Sequence, residues 1–305
     1  MSSIKAELHP KNFGLGYHRG DVFYRSQWGF PHVVFVVYRV VVALYMFIWW
    51  ILSVTYYKNG SAPFIVFLTH CSFIVLWCHL LVASGNTLLH CYLDRNKLKI
   101  VCCSGSVIVD DQPHVNSPDV GDIKMSKEAT DIQEPQGRVR WYMQIDWVLY
   151  SISTLMAFAV TLMYFVLLYR SSSFPEANDF HLHAFNSVVA LLEIILSAMP
   201  MRIYHFIYPV IFCIIYLIIT VIYWSVDNNN TLYGGMIDWN KPGSTALLGF
   251  LLTFIGIPVL HLILFGFYKL KLFIASKVAK KGYDLPRSNQ VSNNESYKLS
   301  NSVLT

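Results

Sequence analysis

A threonine hydroxyl is an ordinary alcohol until a base shares its hydrogen bond, and near neutral pH the usual base is a histidine imidazole. The chain offers this combination in apolar surroundings, with Thr69 near the start of one hydrophobic stretch and His183 near the start of another. Paired, they would form a nucleophile and its general base in a hydrocarbon setting, where the substrate would be a lipid's ester or amide bond. Asn186, one helical turn past His183, or His181, two residues before it, would orient the imidazole or steady the developing oxyanion. Spacing alone leaves a plainer reading open. A threonine in a membrane helix commonly bonds its own i−4 carbonyl, and a histidine at a helix start often just faces water.

Other ionisable side chains interrupt apolar sequence at Arg39, His70, His79, Asp146, Glu193, His205 and His261. At the centre of a membrane helix an Arg or Asp costs about 2.5–3.5 kcal/mol on insertion scales, so such groups turn toward the bundle interior and find partners. An Arg39–Asp146 or Arg39–Glu193 pair would neutralise buried charge and fix which helices are neighbours. The competing reading, a proton or ion path, requires a continuous polar lining, and the sequence carries neither a discontinuous span nor an inverted repeat. Cys71, Cys78 and Cys213 fall inside apolar stretches, while Cys91, Cys102 and Cys103 lie on the side expected to be cytoplasmic. No disulfide is therefore expected. The cysteines lack the CxxC pairs of a zinc site, and neither a metal nor a cofactor is implied. Cys102 and Cys103, just after Lys97 and Lys99, are palmitoylation candidates or plain reduced thiols.

The elements that would position these groups follow from composition. The 305 residues are 55% hydrophobic and 13% charged, with mean hydropathy +0.45. Soluble domains carry about 25% charged residues. A single core stops growing near about 250–300 residues, so extra core cannot absorb the deficit. A soluble enzyme, a disordered chain and a disulfide-stapled secreted domain are all excluded, and no Lys/Arg run resembles a nucleic-acid patch. A span needs about 20 apolar residues. Six stretches qualify: 33–57, 63–83 with the helix continuing toward Tyr92, 141–169, 181–199, 203–224 and 245–275. The fold class is thus an all-α integral membrane protein, a bundle of six transmembrane helices. Measured from Pro63 at 1.5 Å per residue, Thr69 and His70 would lie about 10 Å deep.

With a cytoplasmic N-terminus, 19 of the 23 Lys and Arg residues fall inside, while Lys58, Arg170 and Lys241 fall outside. The positive-inside rule therefore places both termini in the cytoplasm. Residues 1–32 form a cytoplasmic segment, residues 33–275 the transmembrane domain with a cytoplasmic insertion at 94–140, and residues 276–305 a disordered tail. Sequons at Asn59 and Asn229 fall in expected outside loops and make the chain a candidate glycoprotein; a third, at Asn294, falls in the tail. Trp49, Trp50, Tyr56, Tyr57, Trp141, Tyr164, Tyr169, Tyr223 and Trp224 sit where an interfacial aromatic belt would place them.

The segment His183-Ala184-Phe185-Asn186-Ser187-Val188, followed by Leu191-Leu192-Glu193, resembles the rolling stone family of multi-pass membrane proteins. So does the loop Gly234-Gly235-Met236-Ile237-Asp238-Trp239-Asn240-Lys241-Pro242-Gly243. The resemblance covers roughly residues 15 to 275 and implies residence in the plasma membrane and a role in cell–cell fusion, as of myoblasts. A more distant resemblance reaches the androgen-induced family of transmembrane threonine hydrolases, which cleave fatty-acid esters of hydroxy fatty acids. Phe67-Leu68-Thr69 looks like the run that carries that family's threonine, and His183 with Glu193 looks like its histidine and a glutamate ten residues on. His181 is spaced differently from that family's second histidine, and His70-Cys71-Ser72 does not follow its pattern.

Two functions of different class follow. One is a fusion-related membrane protein whose outside loop 225–243 meets a protein partner, although Gly234-Gly235 and Asp238-Trp239 also suit plain turn chemistry. The other is an intramembrane lipid-ester hydrolase with Thr69 as nucleophile, His183 as base and membrane lipids as partners. A seven-helix receptor is excluded, because the span count is even and no seventh apolar stretch exists.

Overall fold

The computed structural model describes residues 7–57, 63–93, 139–169 and 177–284. Most of the 94–140 insertion, Asn59, Cys102, Cys103 and the tail beyond 284 lie outside the described residues. The described chain is helical apart from turns and two isolated bridges. Helix α1 is His32–Tyr56, α2 Leu68–Leu93 and α3 Trp141–Met163, the last prolonged by a π-helical turn, Tyr164–Leu168. A turn at Ala177–Phe180 and a second π turn, His181–Phe185, lead into α4, Asn186–Leu196. A 3-10 turn at Ile203–Phe206 opens α5, Ile207–Val226. Helices α6, Pro242–Leu251, and α7, Ile257–Asp284, form one rod through a third π turn, Leu252–Gly256.

Five of these rods are long and apolar enough to cross a membrane, and His181–Leu196 is a shorter apolar sixth. They alternate in direction, so the bundle has a loop end, carrying residues 227–241, and an N-terminal end. Its polarity is inverted relative to a soluble protein. On α1 the exposed stripe is Val37, Val41, Leu44, Ile48 and Ile51, while Phe35, Arg39, Ala43, Met46 and Ser53 point inward. A charged interior inside an apolar surface is what a hydrocarbon solvent selects. Small buried residues let backbones approach: Ala83 on α2, Ala157 and Ala159 on α3, Ala190 on α4.

Three boundaries differ from the sequence expectation. The second span starts at Leu68, because Pro63 opens a 3-10 turn and Phe67 is extended. Thr69 is therefore in the first turn of α2, not part-way along a helix from Pro63. The fourth span stops at Leu196, not 199. Ser197 is extended and its neighbours pair with the N-terminal segment, through Gln27 N to Leu196 O at 2.8 Å and Ala198 N to Arg25 O at 3.1 Å. At the other extreme α7 runs on to Asp284, so residues 276–284 are helical where disorder was expected.

Candidate functional site

At the bundle's centre α1 contributes Arg39, which is fully buried. Its guanidinium donates to Glu193 Oε2 at 3.2 Å and to Ser197 Oγ at 3.1 Å. It also donates to the carbonyls of Phe23 and Ala83, each at 3.1 Å, and to Thr87 Oγ1 at 3.0 Å. Of the two pairings the sequence allowed, the structure therefore has Arg39–Glu193. Asp146 instead takes His79 Nδ1 at 2.8 Å and Asn86 Nδ2 at 2.9 Å. The other ring nitrogen of His79 lies 3.8 Å from Glu193, joining the two pairs. Lys271, also buried, donates to Ser197 O at 2.8 Å. His205 packs edge-on against Trp147, and His261 Nε2 lies 2.9 Å from Arg202 O. These bonds fasten α1, α2, α3, α4 and α7 together, which is the structural reading of the buried charges.

The loop end is built differently. Thr69 and His70 are both buried in the first turn of α2. His70 stacks on Phe64 at 3.7 Å and meets Tyr57 edge-on. The π turn before α4 packs against α2 and carries His183. Its ring lies flat on Tyr164, 3.8 Å away at 3°. A π turn shifts the hydrogen-bond register and frees carbonyls. That of His183 is taken up by the Thr161 hydroxyl, which also bonds Ser187 Oγ at 2.6 Å. His183 Nδ1 is buried without a hydrogen-bond partner, as is His70 Nδ1, and the two imidazoles lie within electrostatic reach of each other. Among the described residues no hydrogen bond joins Thr69 Oγ1 to His183.

The two expected orienting groups are engaged elsewhere. His181 meets the Tyr45 hydroxyl at 2.5 Å and stacks on Trp49 at 3.5 Å, facing α1. Asn186 Nδ2 donates to Leu182 O at 2.6 Å, while its Oδ1 is buried without a partner. Neither orients His183.

A group that sequence reasoning missed stands beside Thr69. The hydroxyl of Tyr233 accepts the N–H of Leu68 at 2.8 Å and lies 3.2 Å from the Tyr216 hydroxyl. A helix start leaves N–H groups unbonded, and this tyrosine caps one from the turn between α5 and α6. Burial pushes the Tyr233 phenol up to about 12, against lowering by its bonds to Tyr216 and the α2 backbone, so it keeps its proton at neutral pH. The aim of the ring is set by an unusual turn. Tyr233 has φ 55°, followed by Gly234 at 65° and Gly235 at 90°, closed by the Leu232–Ile237 bridge. The Gly-Gly pair was the sequence's one signal of that turn. The rest of the loop also bonds inward, Trp239 Nε1 to Thr220 Oγ1 at 3.1 Å and Thr245 Oγ1 to Asp238 O at 2.7 Å.

A family model described as "Protein rolling stone" matches residues 122–280, a little over half of the chain. Over 283 residues the chain is 25% identical to Protein rolling stone of Drosophila melanogaster, covering 88% of this chain and 90% of that one. No solved structure matches. The matched residues run from α3 into α7 and contain Asp146, His183, Glu193, the Tyr233 turn and Lys271, whereas Arg39, Thr69 and His79 precede them; the chain belongs to the rolling stone family.

Proposed function

We propose that this chain is an intramembrane hydrolase of lipid esters, acting at the outer side of the plasma membrane with Thr69 as nucleophile and His183 as base. The observation that carries this reading is a buried, unpartnered imidazole nitrogen of His183 on a π turn packed against the helix that begins with Leu68 and Thr69. A catalytic base of this kind needs a free ring nitrogen in a water-poor setting. The resemblance to threonine hydrolases points to the same two residues.

In the first step Thr69 Oγ1 attacks the ester carbonyl carbon and its proton passes to His183. The tetrahedral intermediate collapses, the bond to the alcohol oxygen breaks, and His183 returns the proton to the departing alkoxide. Water then attacks the acyl-threonine with His183 again taking a proton. The bond to Thr69 breaks, the threonine hydroxyl recovers its proton, and a fatty acid leaves. The oxyanion forms near the start of α2, where the helix dipole favours negative charge.

The test uses purified full-length protein in detergent with a long-chain ester of a hydroxy fatty acid. Wild type runs beside Thr69→Ala, Thr69→Ser and His183→Ala, all matched by size-exclusion profile and melting temperature. Wild type should release fatty acid, both alanine variants should lose at least about 100-fold, and Thr69→Ser should keep part of the rate. Equal rates in all four proteins would overturn the assignment.

A second reading, a fusion-related membrane protein without catalysis, is favoured by one observation. The central charges are occupied in bonds between helices, as expected of a scaffold. A partner would then meet the exposed residues of the 225–243 loop, such as Asn228, Asn229, Asn240 and Lys241. Fusion retained in Thr69→Ala cells and lost when those four are replaced, at equal surface expression, would favour it.

A further inference from the structure

Between α3, α5 and the α6–α7 rod lies a cavity of about 170 Å³. Its walls run from Met156 to Leu168 along the α3 rod and from Thr245 to Leu260 along the opposite one. At 1.5 Å per residue those stretches are about 18 and 22 Å long, so the cavity is extended along the bundle. Leu162 and Leu167 are on the lining, yet 51% and 44% exposed on the bundle's apolar surface, so the mouth opens sideways into the bilayer. Two of the three π turns border it, through Leu167 and Leu168 on one side and Leu252, Thr253 and Gly256 on the other. Polar atoms gather at the loop end, where Tyr216 and Tyr233 line the cavity together with Leu68, the residue before Thr69.

We infer that this cavity holds the head-proximal segment of one hydrocarbon chain of a bilayer lipid, the rest of the chain leaving sideways past Leu162 and Leu167 and its polar end lying at the Tyr216–Tyr233 hydroxyls. An engineered cavity of about 150 Å³ suffices for benzene, so the volume takes a segment of about six carbons. A water-soluble ligand is excluded by the apolar lining, and a bulky ring system by the volume. The chain's carbonyl would lie at the protonated Tyr233, one residue from the α2 turn that carries Thr69. This deepens the hydrolase reading by supplying the chain-binding half of its site, while the pocket itself stands whether or not Thr69 reacts.

The test is photocrosslinking in nanodiscs with the full-length chain and a sixteen-carbon fatty acid bearing a diazirine within about six carbons of its carboxyl end. Adducts should concentrate in residues 156–168 and 245–260. Two variants fill the cavity: Ala159→Phe from α3, and Gly256→Leu, where an added Cβ meets only ordinary contacts at 3.7 Å and beyond. Both should reduce those adducts at least 5-fold at unchanged melting temperature, while Thr69→Ala leaves them intact. If one variant fails to fold, the other decides. Adducts spread over the lipid-facing helix surfaces, or unaffected by either filling variant, would overturn the pocket. Localised adducts without ester hydrolysis would retain the pocket and remove the hydrolase reading; hydrolysis indifferent to filling would do the reverse.

Discussion

Arg39 and Glu193 meet at 3.2 Å across the centre of the bundle although 154 residues separate them, and both are at most 1% exposed. Removing one partner of such a pair leaves an uncompensated buried charge, which costs about 3–5 kcal/mol. Replacing both by apolar residues of similar volume leaves none, and is often neutral. Arg39→Met and Glu193→Met should therefore each lower the melting temperature in detergent sharply, while the double variant recovers a large part of the loss. Recovery will be incomplete, because Arg39 also holds the carbonyls of Phe23 and Ala83, and Glu193 neighbours His79. Additive losses in the double variant would mean that the two residues act through separate partners.

How far the sequence discloses this arrangement depends on the kind of information required. Hydropathy and length locate the spans, because the membrane demands about 20 apolar residues wherever the chain crosses. They also single out Arg39, Asp146 and Glu193 as groups that must find partners. They leave open which carboxylate Arg39 takes, since that depends on how each helix is rotated about its axis. The π turns at Tyr164, His181 and Leu252 have no composition of their own, being register shifts that neighbouring hydroxyls such as Thr161 make tolerable. The start of α2 is misread for a related reason: Phe67 is as apolar as its neighbours, and the first helical N–H, that of Leu68, is capped by a tyrosine 165 residues later. His181 and Asn186 fit the chemistry by spacing, but His181 Nδ1 meets Tyr45 and the Asn186 amide nitrogen bonds Leu182, which leaves only Asn186 Oδ1 buried and unpartnered.

Orientation rests on charge counting, and the two ends of the bundle allow a direct check. Lys11 is exposed at the N-terminal end and Asn228 at the loop end. With single cysteines at these sites in a background freed of the native thiols, a membrane-impermeant maleimide should label Asn228→Cys on intact cells. Lys11→Cys should react only after permeabilisation. The reverse pattern would invert the topology and move Thr69 and His183 to the cytoplasmic side.

Asp21 lies in the segment folded under the N-terminal end, 2.8 Å from Arg19 NH2 and 3.9 Å from Arg25 NH1. Burial raises its carboxyl pKa, but the Arg19 hydrogen bond and the two guanidinium charges outweigh this and hold it below the ordinary 3.8. A carboxylate depressed in the folded state contributes stability that is present above its unfolded pKa and is lost as pH falls through the folded value. The segment should therefore loosen below about pH 4. A fluorophore on His18→Cys should report that release, and Asp21→Asn should remove the acid-side step. An identical acid profile with Asp21→Asn would assign the release to another group.

Tyr233 combines a costly backbone with a bond no neighbour supplies. A non-glycine residue at φ 55° carries strain on the order of 1 kcal/mol, and here that conformation carries the ring to the start of α2. Tyr233→Phe keeps the turn and the cavity wall but leaves the Leu68 N–H uncapped in an apolar site, a loss of about 1–3 kcal/mol. Tyr233→Gly relaxes the turn but also opens the wall. The phenylalanine variant should melt lower than wild type and still crosslink a fatty-acid probe in the cavity. In the proposed hydrolase its ester hydrolysis should fall in kcat more than in KM, since the hydroxyl would lie at the reacting end and not along the chain. Gly234→Ala and Gly235→Ala, at φ 65° and 90°, should weaken both stability and hydrolysis by displacing the same ring. Unchanged kcat in Tyr233→Phe would limit the tyrosine to capping α2.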